Sequence, residues 1–187
     1  AVKGVLNLLD GLVTTTATQT LTLTNTGSWI GASSASYVTG PITKNSVAVA
    51  STYQFPIGKP TRYAPASVVN VGTGGQNWTE EYIKTMVSFH SSSYNSTDPG
   101  SGFNKLNGIQ PNDRWTITSS GANTSQIRVT YGSHNTHSDQ NYLRVCVWNS
   151  VDSEWINQGG TPSGSSSSGN STSENTIHFS TNQVALG

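Results

Sequence analysis

The chain has 187 residues, enough for one full-sized hydrophobic core. Nine basic residues balance nine acidic ones with no basic cluster, which excludes nucleic-acid recognition through phosphate neutralisation. No apolar run approaches the length of a membrane span, and the single cysteine, Cys146, excludes an internal disulfide framework.

Hydrophobic residues are 33% of the chain and charged residues 10%, with Ser, Thr, Asn and Gly filling the difference. Disorder normally couples low hydrophobicity to high net charge, whereas here five Trp and seven Tyr supply large surfaces for burial. A Thr-rich, aromatic-bearing, charge-poor chain reads as all-β. The opening Ala1-Val-Lys-Gly-Val5 has neither a basic n-region nor an apolar h-region, so the sequence reads as a mature product or, preferably, a piece of something longer.

From residue 2 to about 23, period-two runs contain Val5, Leu6, Leu8, Leu12, Leu21 and Leu23, with a turn at Asp10-Gly11. These short strands with threonine rungs predict either one coil of a β-solenoid or a terminal segment that pairs with a neighbouring chain. A lone coil cannot bury its own face and needs company on at least one side. Residues 1–34 are therefore read as an N-terminal strand segment, solenoid-like or strand-exchanging, and residues 35–187 as a separate module.

In that module, strands are predicted at about 36–38, 46–55, 66–71, 82–89, 114–118, 126–131, 142–148, 154–158 and 175–186. Ile127, Val129 and Tyr131 alternate inward, as do Leu143, Val145 and Val147, and the two runs are expected to pair as a hairpin across the polar loop 132–141. Turn-bounded strands at this spacing predict an antiparallel two-sheet sandwich, Ig-like or jelly-roll-like. Asn77-Trp-Thr-Glu80 has the form of a helix capping box, but Ile83, Thr85, Val87 and Phe89 alternate, which favours a strand. The Ser/Gly tract 163–173 reads as a long, mobile hairpin loop.

Several segments together resemble a known module: Tyr37-Val-Thr-Gly-Pro-Ile-Thr-Lys44, Tyr53-Gln-Phe-Pro-Ile-Gly58, Arg62-Tyr-Ala-Pro65, Asp113-Arg-Trp-Thr-Ile117, Val145-Cys-Val-Trp-Asn149 with Trp155, and Val184-Ala-Leu-Gly187. In order and spacing they are similar to a β-sandwich module of very large secreted and cell-surface proteins of Bacteroidota. Such modules stand beside β-solenoid or Ig-like repeats, in proteins that often carry type IX secretion signals and sometimes resemble gliding-motility adhesins. The resemblance covers about residues 35–187. It implies an extracellular or surface location and a structural or adhesive role, and it brings no catalytic or binding residues. No sorting domain of the type IX kind is visible at the C-terminal end.

Candidate sites are few. Trp115 and Arg62 form a conceivable sugar-stacking platform, although the preferred reading buries Trp115 and pairs Arg62 or Arg114 with Asp113. His134, His137 and Asp139 have metal-ligand chemistry, but four ligands at recognised spacing are missing and a solvated hairpin tip is preferred. Asp98 and Asp139 are weak calcium candidates, since calcium needs six or more oxygens; no other cofactor is implied. Glu80 and Glu81 point to opposite faces of a strand and cannot work as an acid–base pair. Cys146 reads as a packed thiol. Sequons at Asn77, Asn95, Asn123 and Asn170 suggest solvent-facing loops.

With no nucleophile, acid–base or phosphate-cradling motif, the expected function is non-catalytic: a structural or adhesive unit whose partners are neighbouring modules or identical subunits. Trp29, Tyr37, Tyr53, Phe55 and Tyr63 are expected at its core or its junction with the N-terminal segment. Two alternatives stand beside it. One is a carbohydrate-binding module that stacks extracellular glycans on Trp78, Tyr94 and Trp155. The other is a filament subunit assembling by β-strand addition through residues 1–24, with Val5, Leu6, Leu8, Leu12, Leu21 and Leu23 at the contact.

Overall fold

The computed structural model describes residues 1–84, 106, 108–110, 112–132, 141, 143–165, 168–173 and 177–186. Among them the chain is all-β. The first six strands are β1 (Val5–Asn7), β2 (Gly11–Thr14), β3 (Leu21–Leu23), β4 (Ser28–Ile30), β5 (Ser36–Thr39) and β6 (Ile42–Val47). They pair in parallel as β1–β4, β2–β5 and β3–β6, which is the pattern of two stacked solenoid coils. Leu6 lies over Trp29, Val13 over Val38 and Leu21 over Ile42, so one apolar position on each side of the coil stacks on its successor. Val2 adds a rung by bridging Leu23, which in turn pairs with Lys44. Threonines line the coil's flank, with the Thr39 hydroxyl donating to that of Thr14 at 3.2 Å.

The middle of the chain holds β7 (Tyr53–Phe55), β8 (Gly58–Lys59), β9 (Arg62–Tyr63), β10 (Ala66–Val69) and β11 (Gln76–Ile83). After them come β12 (Arg114–Gly132), β13 (Val145–Asn149), β14 (Glu154–Asn157), β15 (Thr161–Gly164), β16 (Ser168–Thr172) and β17 (Ile177–Leu186). Strand β6 welds coil to body: it pairs in parallel with β3 on one side and antiparallel with β11 on the other.

The strands do not divide into the two sheets expected of a simple sandwich. Among the described residues they form one 11-stranded sheet and three two-stranded ones, β1–β4, β2–β5 and β8–β9. The reason is β12, a single strand of 19 residues where two were expected. Its N-terminal part pairs with β11 and β17, and its C-terminal part with β10 and β16, with a register shift between Thr118 and Asn123. Both parts feed one interior: Trp115, Ile117, Ile127, Val129 and Val145 belong to a single buried cluster. The period-two alternation therefore identified the buried face correctly.

Other expectations fail where alternation says nothing about neighbours. Residues 126–131 do not form a hairpin with β13, which lies between β14 and β17. Alternation fixes which side of a strand is buried but leaves its partner open. The run 46–55 is broken by a turn between β6 and β7 in which Ala50 adopts φ of 54°, while Ser46, at φ of 52°, lies within β6 where its register against β11 shifts. The helix-cap motif at Asn77–Glu80 lies inside β11, while residues 85–89 fall outside the described part.

The Ser/Gly tract, expected as a loop, forms the antiparallel pair β15–β16. Small side chains let it approach the body closely: a Cβ on Gly169 would collide with the Tyr131 hydroxyl and the Ser163 carbonyl. Ser171 and Ser173 are buried there, and the Ser173 hydroxyl accepts the Ile127 amide proton at 3.0 Å.

Candidate functional site

The most constructed region lies where the coil meets the body. Tyr37, buried on β5, donates its hydroxyl to the Lys59 carbonyl at 2.7 Å and accepts the Arg62 amide at 3.2 Å. Its ring lies 5.5 Å from that of Tyr63. These contacts hold the β8–β9 hairpin against β5. Pro60 and Thr61 make the turn, and Thr61 takes φ of 76°, a conformation that favours glycine and strains a β-branched residue. Gly58 is required here, because a Cβ would meet the Arg62 carbonyl and the Tyr37 ring.

Arg62 carries the region's charge network. Its Nη2 donates to Asp113 Oδ2 at 2.8 Å, and the guanidinium lies 5.4 Å from the Tyr82 ring centroid. The Tyr82 hydroxyl donates to the other Asp113 oxygen. Burial pushes the Tyr82 phenol well above its ordinary value, with Asp113 adding to the effect. Trp115 is fully buried and donates Nε1 to the Ala64 carbonyl at 3.0 Å, so it offers no ring face to a sugar. The pairing of Arg62 with Asp113 and the core position of Trp115 are as preferred from the sequence.

Beside this network opens a hollow of about 500 Å³. Its walls come from the turn at Ser34, the β9 hairpin at Thr61–Tyr63, the end of β12 at Thr130–Gly132, and the start of β16. The sequence motif Arg62-Tyr-Ala-Pro65 marked one wall. The others come from distant segments and carry no local signature.

The glycan-stacking residues are corrected. Trp78 is fully buried, because it holds an inward position in the alternation of β11. Trp155 is buried in a second cluster with Leu106, Cys146 and Ala185, its ring 5.5 Å from that of Trp148. Neither has a face in solvent. Tyr94, Asp98, Asp139, His134 and His137 lie outside the described residues. Among the described residues, no group of three or more His, Cys, Asp or Glu could hold a metal ion.

The assembly residues separate into two kinds. Leu8 and Leu23 are buried within their own chain, and Leu6 and Leu21 pack against the core while half-buried. Val5 and Leu12 remain 59% and 43% exposed on the outer face of the coil, joined by Leu9 at 75%. The sequons are corrected as well: Asn77, Asn123 and Asn170 lie in strands, and Asn123 is buried, clamping both the amide and the carbonyl of Thr73, while Asn95 lies outside the described residues.

One feature escaped sequence reasoning. Glu80 and Glu81 do face opposite ways, and Glu81 accepts Lys59 Nζ at 2.6 Å. Glu80 instead points into the core, fully buried between Ile42 of β6 and Ile117 of β12. Neither of its oxygens has a hydrogen-bond partner among the described residues, and burial raises its pKa well above the usual carboxylate range. A strict polar–apolar reading of β11 would have exposed this, since Glu80 has the phase of Trp78 and Tyr82.

Cys146 is buried and its thiol is pushed far up by desolvation, so it is no nucleophile. Among the described residues no helix is long and apolar enough to cross a membrane. Comparison with protein-family models, curated proteins and solved structures gives no match for this chain.

Proposed function

We propose that this chain is a non-catalytic structural or adhesive module of an exported bacterial surface protein, in which a solenoid end passes into a sandwich-like body. The resemblance to surface modules of Bacteroidota supports that reading and its extracellular setting. The observation that carries it is the state of the first coil. Leu8 and Leu23 are covered, but Val2, Leu6, Val13 and Leu21 pack on the stack while only partly buried; beneath Val13 and Leu21 the stacked residues Val38 and Ile42 are fully buried, and beneath Leu6 Trp29 is half-buried. The outer edges of β1 and β2 have no strand partner among the described residues. A stack whose terminal layer is incompletely covered is suited to continue onto another layer of the same kind. Neighbouring modules or identical subunits are the partners this implies, with assembly by coil stacking rather than by donation of residues 1–24.

The test is to extend the chain at its N-terminus with a duplicate of residues 3–23 and follow amide hydrogen exchange. Stacking predicts that the β1 and β2 amides gain protection and that the melting temperature rises. An added coil that exchanges freely and leaves β1 and β2 unchanged would refute the reading.

A further inference from the structure

We propose that the hollow between Ser34, the β9 hairpin and the ends of β12 and β16 is a binding subsite for one or two units of a neutral saccharide. The proposal goes beyond the structural reading and does not depend on coil stacking. Its size, about 500 Å³, lies within the range of small-molecule sites, and it sits at the seam between coil and body where such sites concentrate. Its openness to solvent suits a stretch of a longer glycan rather than an engulfed small ligand.

The chemistry of the walls selects the ligand. Tyr63 contributes a half-buried ring, held in place by its packing on Tyr37, and flat apolar faces of this kind stack on sugar rings. Ser34, Thr61 and Ser168, each a hydroxyl-bearing residue, line the space around it. Thr61 accepts a bond from Lys84 at 3.3 Å and so keeps its own proton to donate. Among the described residues no carboxylate lines the hollow, and the cation in its lining, Arg62, is already matched by buried Asp113. An anionic ligand would have to compete with Asp113 for that guanidinium, whereas a neutral polyol would not.

The walls are also rigid. Tyr131 is buried and donates its hydroxyl to the Ser165 carbonyl at 3.0 Å, which ties the end of β12 to the β15–β16 pair. Thr130 donates to the Pro65 carbonyl at 3.2 Å, tying β12 to the hairpin. Thr61 is held at φ of 76° on the rim, and strained backbone of this kind collects at binding sites when the surroundings over-determine it. A pre-formed hollow lowers the ordering cost of binding.

The experiment applies the intact chain to an array of neutral and acidic oligosaccharides, then measures the strongest neutral ligand by calorimetry. Tyr63→Ala should weaken binding at least about tenfold, the loss expected of one stacked ring, while Tyr63→Phe keeps the affinity. Because Tyr63→Ala also removes packing on Tyr37, Ser34→Tyr provides a second variant: Ser34 is an exposed turn residue, and the larger side chain should block the hollow without touching the core. Each variant is checked for an unchanged circular-dichroism spectrum. Absence of neutral-glycan binding, exclusive binding of acidic glycans, or binding that survives Ser34→Tyr would each overturn the proposal. None of these outcomes bears on coil stacking.

Discussion

Replacing Glu80 by methionine should stabilise the protein at pH 7 and do so much less at pH 4. Glu80 is fully buried, and neither of its oxygens finds a partner among the described residues. Its folded pKa therefore lies well above the 4.5 of an unperturbed glutamate, through desolvation. The sign follows from proton counting. Between the two values the folded state holds a proton that the unfolded state has lost, so stability falls as pH rises through that window and is fully present only below the unfolded value. The cost grows by about 1.4 kcal/mol per pH unit for as long as the folded carboxyl keeps its proton, to a ceiling of about 3 kcal/mol at pH 7. Methionine has similar length and no charge, and it escapes that cost, while a change of side-chain shape in the core offsets up to about 1.5 kcal/mol at every pH. At that ceiling the gain at pH 7 is about 1.5 to 3 kcal/mol, or a rise of roughly 3 to 12 °C in Tm. Tyr53 and Tyr82, the neighbouring titratable groups on the facing and the same strand, are raised by burial and stay neutral across this range. Urea unfolding midpoints of both proteins from pH 4 to pH 8 provide the measurement. A difference between the proteins that does not change with pH, or a variant less stable at pH 7, would refute the reasoning.

Trp78→Ala and Trp155→Ala should each cost about 3 to 5 kcal/mol in urea unfolding, as expected of emptied core sites; an unchanged midpoint would place those rings in solvent after all. Thr61→Asn should stabilise by about 1 kcal/mol, since asparagine tolerates the left-handed backbone better than a β-branched residue. A lower Tm would show that the Thr61 side chain matters more than its strain. Cys146 should react with a thiol reagent only as fast as the native protein opens, and rapid stoichiometric labelling without denaturant would contradict its burial.

The sequence displayed burial better than connectivity. Alternation in 114–118, 126–131 and 143–147 put Trp115, Ile127, Val129 and Val145 inside, where the structure has them. It did not reveal that β12 runs unbroken through 119–125, because Ser, Gly and Asn there look like a turn. Those residues are tolerated in the strand because Ser125 bonds the Val69 amide and carbonyl and Asn123 bonds Thr73. The tract 163–173 misled for the same reason: composition advertises flexibility, while the close approach that small residues permit is a property of the partner surface. Of the candidate site, Arg62, Tyr63 and Pro65 stood in a recognisable motif. Ser34, Tyr131 and Ser168 reach the hollow through pairings of strands far apart in the chain, which no local pattern encodes.

Three charged side chains are buried among the described residues, and the difference between them separates architecture from cost. Lys44 sends Nζ to the carbonyls of Thr24 and Asn25, at 2.5 and 2.8 Å, closing the turn after β3 from a position on β6. Asp113 receives Arg62 from the hairpin and Tyr82 from β11. Each therefore ties one part of the seam to another with directional bonds, and a one-residue slip would break those bonds and leave a charge stranded. Parallel coil strands of three or four residues have little hydrogen bonding of their own to resist such a slip, so the seam is where fixed charges contribute most to specificity. Glu80 makes no comparable bond among the described residues. It occupies the face of β11 between Ile42 and Ile117 that would otherwise be wholly apolar, and that contrast is why its removal is expected to stabilise the fold, whereas removal of Lys44 or Asp113 is not.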